Sequence, residues 1–287
     1  MADAEIGIIG GSGLYEMEGF AGIEEVAVLT PFGEPSDHYV IGQLEGRKVA
    51  FLPRHGRGHR LSPHELNFRA NVYGFKKLGV NWLISMSAVG SLKEELRPTD
   101  VVVPDQFYDR TKLRKDTFFG DGMAAHVSFG DPVCRSLFEV LVQAAEAAGA
   151  VVHWGGTYVN MEGPAFSTRA ESNAYRRLGF DVVGMTNLTE AKLAREAEMC
   201  YATLAMVTDY DCWKQDAEEV SVETIIGILG QNACTAQNII RLAIGKIPAQ
   251  QDCACARALE KAIITRPELI PEAAKRRLEA IVGKYLE

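Results

Sequence analysis

The sequence predicts an α/β fold, with a central sheet of buried strands covered by helices. Short runs rich in Val and Ile recur along the chain, and capped helical patterns alternate with them. Runs that are apolar throughout suit strands covered on both faces. The composition agrees: 47% hydrophobic and 24% charged over 287 residues is ordinary for a globular chain and excludes fibrous and disordered classes. Residues 1–287 read as one domain, with a helical C-terminal extension from about 247.

In chain order the predicted strands are Ile6–Ile9, Val49–Leu52, Trp82–Met86, Val101–Val103, Val151–Val159, Asp181–Val183 and Ala202–Val207. Ser62-Pro63-His64-Glu65 reads as a capping box with Pro at the first helical position, and Gly79 ends that helix. Asp131-Pro132 opens a second helix that runs to Gly149. Thr168-Arg169-Ala170-Glu171 is another capping box, closed by Gly179. Asn187-Leu188-Thr189-Glu190 opens a fourth helix, in which Lys192 and Glu196 stand one turn apart as a pair. Ser221 caps a long helix to about Lys246. Pro248–Pro271 is a looser connection, and Glu272–Tyr285 forms a terminal helix whose charges mark a solvated face.

Thirty basic against 38 acidic residues leave a net charge of −8, which argues against nucleic acid or an anionic membrane as partner. No apolar run is long enough to span a bilayer, and the start shows no secretory signal. Six cysteines in a chain this long make no disulfide scaffold, so a reduced, cytoplasmic protein is expected.

Ligands in open α/β sheets bind beyond the carboxyl ends of the strands, and polar residues gather there. Gly10-Gly11-Ser12-Gly13 follows the first strand; it suits a backbone nest for an anion, or an ordinary strand-ending turn. It is neither a dinucleotide fingerprint nor a Walker A loop. Pro53 to Arg60 holds three Arg and two His without an acid. A planar Arg fork there, Arg54, suits two oxygens of a phosphate, and Arg54→Ala is expected to leave the fold intact. His55, His59 and His64 lack a carboxylate or Cys to complete a metal set, so no metal is expected. Ser87 and Thr186 each follow a strand and offer hydroxyls to an anion, or serve as turn hydroxyls. Asp209 and Asp211 are two residues apart and face one side if the strand persists. A carboxyl at that mouth has a raised pKa and suits protonation of a leaving group. Phe166 offers a ring to stack on a base, or a core residue. No Gly-x-Ser-x-Gly and no catalytic cysteine context occur, so the nucleophile comes from solvent or substrate.

These segments together resemble the trimeric purine nucleoside phosphorylase family. The likeness runs through GIIGGSGL at Gly7, TPFGEPSD at Thr30, PRHGRGH at Pro53, SAVGSL at Ser87, PDQFYDRT at Pro104, EGPAFSTRAES at Glu162, GMTNLTEAKLAREAEMCY at Gly184 and TDYDCW at Thr208. It implies a three-layer fold around a mixed sheet, a homotrimer, and no metal or organic cofactor, with inorganic phosphate as co-substrate. The implied reaction is reversible phosphorolysis of 5′-methylthioadenosine. The implied phosphate contacts are Ser12, Arg54, His55, Ser87 and Thr186. Ala88 and Met185 are implied along the ribose, Phe166 and Ser167 beside the purine, and Asp209 and Asp211 at the 6-amino edge and N7. Val222 and Ile226 are implied as the apolar 5′ pocket, with His126 lent by a neighbouring subunit. Cys253-Ala254-Cys255 resembles a Cys-x-Cys pair of some relatives, which could form a disulfide; in a reducing cytosol two free thiols are the expected state. The rival readings are another enzyme of the same fold that takes 5′-methylthioinosine or ordinary purine nucleosides, a water-using nucleosidase, and a nucleoside sensor without chemistry.

Overall fold

The computed structural model describes residues 3–11, 17–214 and 222–286, with the backbone alone for 222–226. Its strands are β1 (Ile6–Gly10), β2 (Ala21–Val26), β3 (Tyr39–Leu44), β4 (Arg47–Pro53), β5 (Trp82–Ser91), β6 (Val101–Val103), β7 (Gln106–Arg110), β8 (Val152–Trp154), β9 (Thr157–Met161), β10 (Val182–Gly184) and β11 (Cys200–Asp209). The helices are α1 (Phe68–Lys77), α2 (Arg135–Ala147), α3 (Arg169–Arg177), α4 (Asn187–Glu196), α5 (Val222–Ile244) and α6 (Glu272–Val282).

The strands form one mixed sheet in the order β2-β3-β4-β1-β5-β10-β9-β7, and β11 branches from β5 toward β6 and β8. Alternation of side chains along β1 and β5 divides the core. Ile6, Ile8, Trp82 and Ile84 pack on one face with Leu137 and Leu141 of α2 and Ile239 and Ile240 of α5. Ile9 and Leu83 face the other way, onto Phe75 of α1, Ala191 and Ala194 of α4, and Leu278 and Ile281 of α6. The terminal helix is thus amphipathic, and its apolar side completes the second layer. Among the described residues, no helix is long and apolar enough to cross a membrane.

The register around β5 opens the sheet at one point. On one side β11 accompanies β5 from Trp82 to Gly90. On the other, β1 pairs only as far as Ser85 and β10 pairs only at Gly90 and Ser91. Met86 to Val89 therefore have no strand partner on that side. The end of β1, the end of β4 and the start of α4 all lead into this gap.

Several expected elements differ. Val151–Val159 is two strands, β8 and β9, because Gly155 and Gly156 adopt φ of 85° and 95° and turn the chain between them. The helix expected from Ser62 begins at Phe68. Ser62 and Glu65 do exchange hydrogen bonds, but they close a single turn. The N-cap is Asn67, whose Oδ1 accepts from Ala70 N–H while its Nδ2 donates to Phe32 O at 2.7 Å. Likewise α2 starts after Cys134 and not at Pro132. The Thr168 box forms as expected, with both reciprocal bonds. Lys192 pairs with Asp109 and Asp116 at 2.7 and 2.5 Å, and Glu196 turns inward to accept from Phe118 N–H. The long helix α5 is present, and Ser221 lies outside the described residues.

Candidate active site

Arg54 ends up buried at the floor of the gap, 2% exposed, directly after β4. Its fork is already filled. Nε donates to Glu190 Oε1 at 2.5 Å and Nη2 to Glu190 Oε2 at 3.2 Å. Nη2 also reaches Ser85 Oγ at 2.7 Å and Ile9 O at 3.2 Å, and Nη1 donates to Met86 O at 2.6 Å. Of five N–H groups, one on Nη1 is left for a ligand. The expectation of a bidentate Arg–phosphate clamp is therefore corrected: Glu190, reached from α4, takes the fork and neutralises its charge. The expectation that Arg54→Ala leaves the fold intact is corrected with it.

Glu190 belongs to a buried polar cluster that no short motif announces. Its Oε2 accepts from Ser85 Oγ at 2.7 Å and from the Tyr201 hydroxyl at 3.2 Å. Asn187 Oδ1 accepts from the Tyr158 hydroxyl and from Thr186 Oγ1, at 3.1 and 3.0 Å, and its Nδ2 donates to Ser85 and Thr203. Asn160 Oδ1 accepts Leu188 N–H at 3.1 Å, in the first turn of α4. A methyl on Gly184 would overlap the Tyr158 hydroxyl, so β10 must carry glycine here. The one legible signal was a serine, Ser85, inside an apolar strand.

Three hydroxyl or amide-rich elements face the gap above this floor. Ser87 Oγ is buried and has no hydrogen-bond partner among the described residues. Such a hydroxyl is an anomaly unless a ligand supplies the partner. Thr186 stands at the N-cap of α4 without capping it with its side chain, at the positive end of a helix. Gly11 continues β1 toward the same place; Ser12 lies outside the described residues.

His55 is neutral at pH 7. Burial, with Arg54 beside it, lowers its pKa from 6.5 to about 4. Nδ1 lies 2.8 Å from Leu61 O and must carry the proton, which leaves Nε2 as an acceptor. The ring stacks on His59 at 4.2 Å.

The two acids close the other side. A register shift between Val207 and Asp209 places Asp209 opposite Gly90. The strand does not persist to Asp211, which adopts φ of 51°; the expected same-face geometry is thus replaced by a turn. That turn still brings the carboxyls together, because Asp211 N–H donates to Asp209 Oδ1 at 2.7 Å. Asp209 Oδ2 accepts from Thr208 Oγ1 at 2.7 Å. A Cβ on Gly90 would lie 3.1 Å from Asp209 Oδ1 and 3.2 Å from Asp211 Cβ, so this approach needs glycine. Burial raises both carboxyls, Asp209 in direction and Asp211 to about 6. Asp211 Oδ2 is buried without a hydrogen-bond partner among the described residues.

This arrangement has a stability consequence. The folded pKa of Asp211, about 6, lies above its ordinary 3.8, so protonation favours the folded state. The ionised carboxylate destabilises the fold, an effect that develops as pH rises from 3.8 to about 6 and is complete above that. Asp211→Asn should gain about 2–3 kcal/mol at pH 7.5 and almost nothing at pH 3.5. Asn also tolerates the positive φ. Denaturant unfolding at the two pH values checks it; an equal gain at both would show that the carboxylate is not the cause.

The remaining predicted residues surround the gap unevenly. Ala88 is exposed within it, and Met185 is half-buried, with its carbonyl accepting from Arg114 Nη2 at 3.1 Å. Arg114, which sequence reasoning missed, also holds Glu162 Oε1 at 2.5 Å and Glu162 O at 2.6 Å, and so ties the 162–164 turn to Met185. Ser167 is buried just beyond that turn, and Phe166 is 54% exposed. His126 is exposed, with its N–H on Ala262 O at 2.9 Å in the C-terminal extension. No described contact ties His126 to the gap within one chain. Val222 and Ile226 lie one turn apart on α5; their side chains are outside the description.

The chain matches the model of the Phosphorylase superfamily over residues 5–245. It is 62% identical over 282 residues to the S-methyl-5'-thioadenosine phosphorylase of Koribacter versatilis, covering 98% of this chain and 97% of the relative. The enzyme of that name from Geobacter sulfurreducens is 58% identical, with 98% and 99% covered. Among solved structures, a methylthioadenosine phosphorylase from an antarctic soil metagenomic library superposes with a TM-score of 0.94 at 49% identity, covering 98% of this chain and 99% of that one. The Schistosoma mansoni methylthioadenosine phosphorylase in complex with adenine gives 0.84 at 36% identity, with 90% and 96% covered. The expected three-layer fold around a mixed sheet is therefore present, and the chain belongs to the Phosphorylase superfamily, in its methylthioadenosine phosphorylase branch.

Proposed function

We propose that the chain catalyses reversible phosphorolysis of 5′-methylthioadenosine to adenine and 5-methylthioribose 1-phosphate, as a cytoplasmic homotrimer of single-domain subunits, within methionine and purine salvage. The observation that carries this reading is the gap beside Met86–Val89. Among the described residues Ser87 Oγ stands there without a hydrogen-bond partner, Thr186 opens α4 beside it, and two carboxyls raised by burial stand by Gly90 at its end. Its partners are the nucleoside, phosphate and further copies of the chain, with no nucleic acid and no membrane. No organic cofactor or metal enters the chemistry.

Phosphate sits against Ser87 Oγ, Thr186 and the α4 N-terminus, the Arg54 N–H that no described residue takes, and Gly11 with Ser12. His55 Nε2 accepts a hydrogen bond from a P–OH group and orients the anion. Cleavage passes through an oxocarbenium-like state, and a phosphate held beneath the anomeric carbon supplies charge complementarity and proximity together. The C–N bond breaks, a C–O bond to phosphate forms, and the electron pair moves into the purine. Asp209, whose carboxyl burial raises in pKa, protonates or hydrogen-bonds N7 as the base departs. Ionised Asp211 accepts from the 6-amino group. Phe166 and Ser167 border the purine, Ala88 and Met185 the ribose, and Val222 and Ile226 the methylthio group. His126 of a neighbouring subunit completes that pocket.

Ser87→Ala tests the phosphate wall, since Ser87 Oγ has no hydrogen-bond partner among the described residues to orphan. Stability should stay within about 0.5 kcal/mol. The phosphate KM should rise roughly tenfold or more, the worth of a hydrogen bond to a charged group. An unchanged phosphate KM would remove Ser87 from the site. Initial rates on methylthioadenosine, methylthioinosine, adenosine and inosine at saturating phosphate test the substrate itself. Methylthioadenosine should lead, and preference for a 5′-hydroxyl or a 6-oxo base would refute the assignment.

A further inference from the structure

Cys134, Cys200, Cys253 and Cys255 come together in the first core layer, far from the gap. Cys134 is the N-cap of α2 and Cys200 opens β11. Cys253 and Cys255 sit at the start of the 3₁₀ turn Ala254–Arg257 in the C-terminal connection. All four Sγ atoms lie within 4.8 Å of one another. Cys253 Sγ is 3.8 Å from Cys134 Sγ and 3.1 Å from Cys200 Sγ. Cys134, Cys200 and Cys255 are buried among apolar side chains.

We propose that these four cysteines bind one Zn²⁺ as a closed tetrahedral tetrathiolate that pins the C-terminal connection to the sheet. Zn–S bonds of about 2.3 Å give tetrahedral edges of about 3.8 Å, which the sulfur separations bracket. A four-iron cluster needs wider spacing, and among the described residues no carboxylate or histidine joins the set. On binding, the four thiols release four protons, so the site carries a net charge of −2. Donors that favour thiolate sulfur are in place: Gln251 Nε2 points at Cys200 Sγ at 3.4 Å, the Leu137 N–H at Cys134, and Arg195 lies close to Cys255. The histidines near Arg54 gave no metal set and the resemblance implied no metal for the chain; a structural zinc at this cluster departs from that expectation and leaves the reaction metal-free. It sits at the opposite end of β11 from Asp209, roughly 30 Å along the strand, so the metal acts on structure and not on the reaction.

Elemental analysis of untagged protein, purified with a reductant and no chelator, tests this. About one zinc per chain is expected, falling below about 0.1 in Cys253→Ser/Cys255→Ser. A mercurial should release the metal in step with thiol titration, read by a colorimetric zinc indicator. The double variant should melt below zinc-loaded wild type and no higher than chelator-treated wild type, and keep kcat at low temperature. Three outcomes overturn the proposal: no zinc in the purified protein and none taken up by the reduced protein, iron in its place, or an intact mass lower by about four hydrogens that marks two disulfides.

Discussion

Asp209→Asn is expected to lower methylthioadenosine phosphorolysis by about 10²–10⁴-fold, the usual worth of a placed general acid. The neutral amide is no acid, yet the surroundings accommodate it. Its Oδ1 can still accept from Asp211 N–H. Its Nδ2 can donate to Thr208 Oγ1, which then donates only to Val89 O, an acceptor already at 3.2 Å. Melting temperature should therefore hardly move. The loss should be selective, because an Asn NH₂ at N7 can also donate to an adjacent 6-oxo group: methylthioinosine turnover should fall much less. Rates on both substrates, with a thermal melt, decide. Equal losses on both would point to a disturbed Asp211 turn. Full activity on methylthioadenosine would leave Asp209 as a turn residue only.

Arg54→Ala should destabilise the protein by about 3–5 kcal/mol, because it strands the Glu190 carboxylate in the core. Both side chains are almost wholly buried, at 3% and 0% exposure, and Glu190 shares its oxygens with Ser85 and Tyr201. For a chain of this size that corresponds to a fall of roughly 6–20 °C in Tm. Adding Glu190→Gln should recover part of the stability and none of the phosphate binding. Denaturant unfolding of the single and double variants separates the two effects. A loss below about 1 kcal/mol for the single variant would mean that the pair is not the structural unit described.

Much of this was legible from residue order because buried strands advertise themselves. Ile6–Ile9, Val49–Leu52 and Ala202–Val207 are apolar runs, and their ends carry the residues that meet at the gap. The edge strands were not legible. β2, Ala21–Val26, is exposed along nearly its whole length, and β7, Gln106–Arg110, is mostly polar, so neither shows an apolar run. Helix starts failed where a local signature was satisfied by a turn alone, as at Ser62. In the site, Ser87, Thr186 and the two aspartates could be placed by position after a strand. The state of Arg54 could not, because Glu190 approaches from 136 residues away. Four cysteines from three regions of the chain converge for the same reason: only the sheet topology brings them to one place.

Product analysis with and without inorganic phosphate tests the phosphorolytic reading most directly. With methylthioadenosine as substrate, adenine should appear only when phosphate is present, with all the sugar recovered as 5-methylthioribose 1-phosphate. Adenine released at the same rate in phosphate-free buffer, with free 5-methylthioribose as the sugar product, would contradict it and make water the nucleophile.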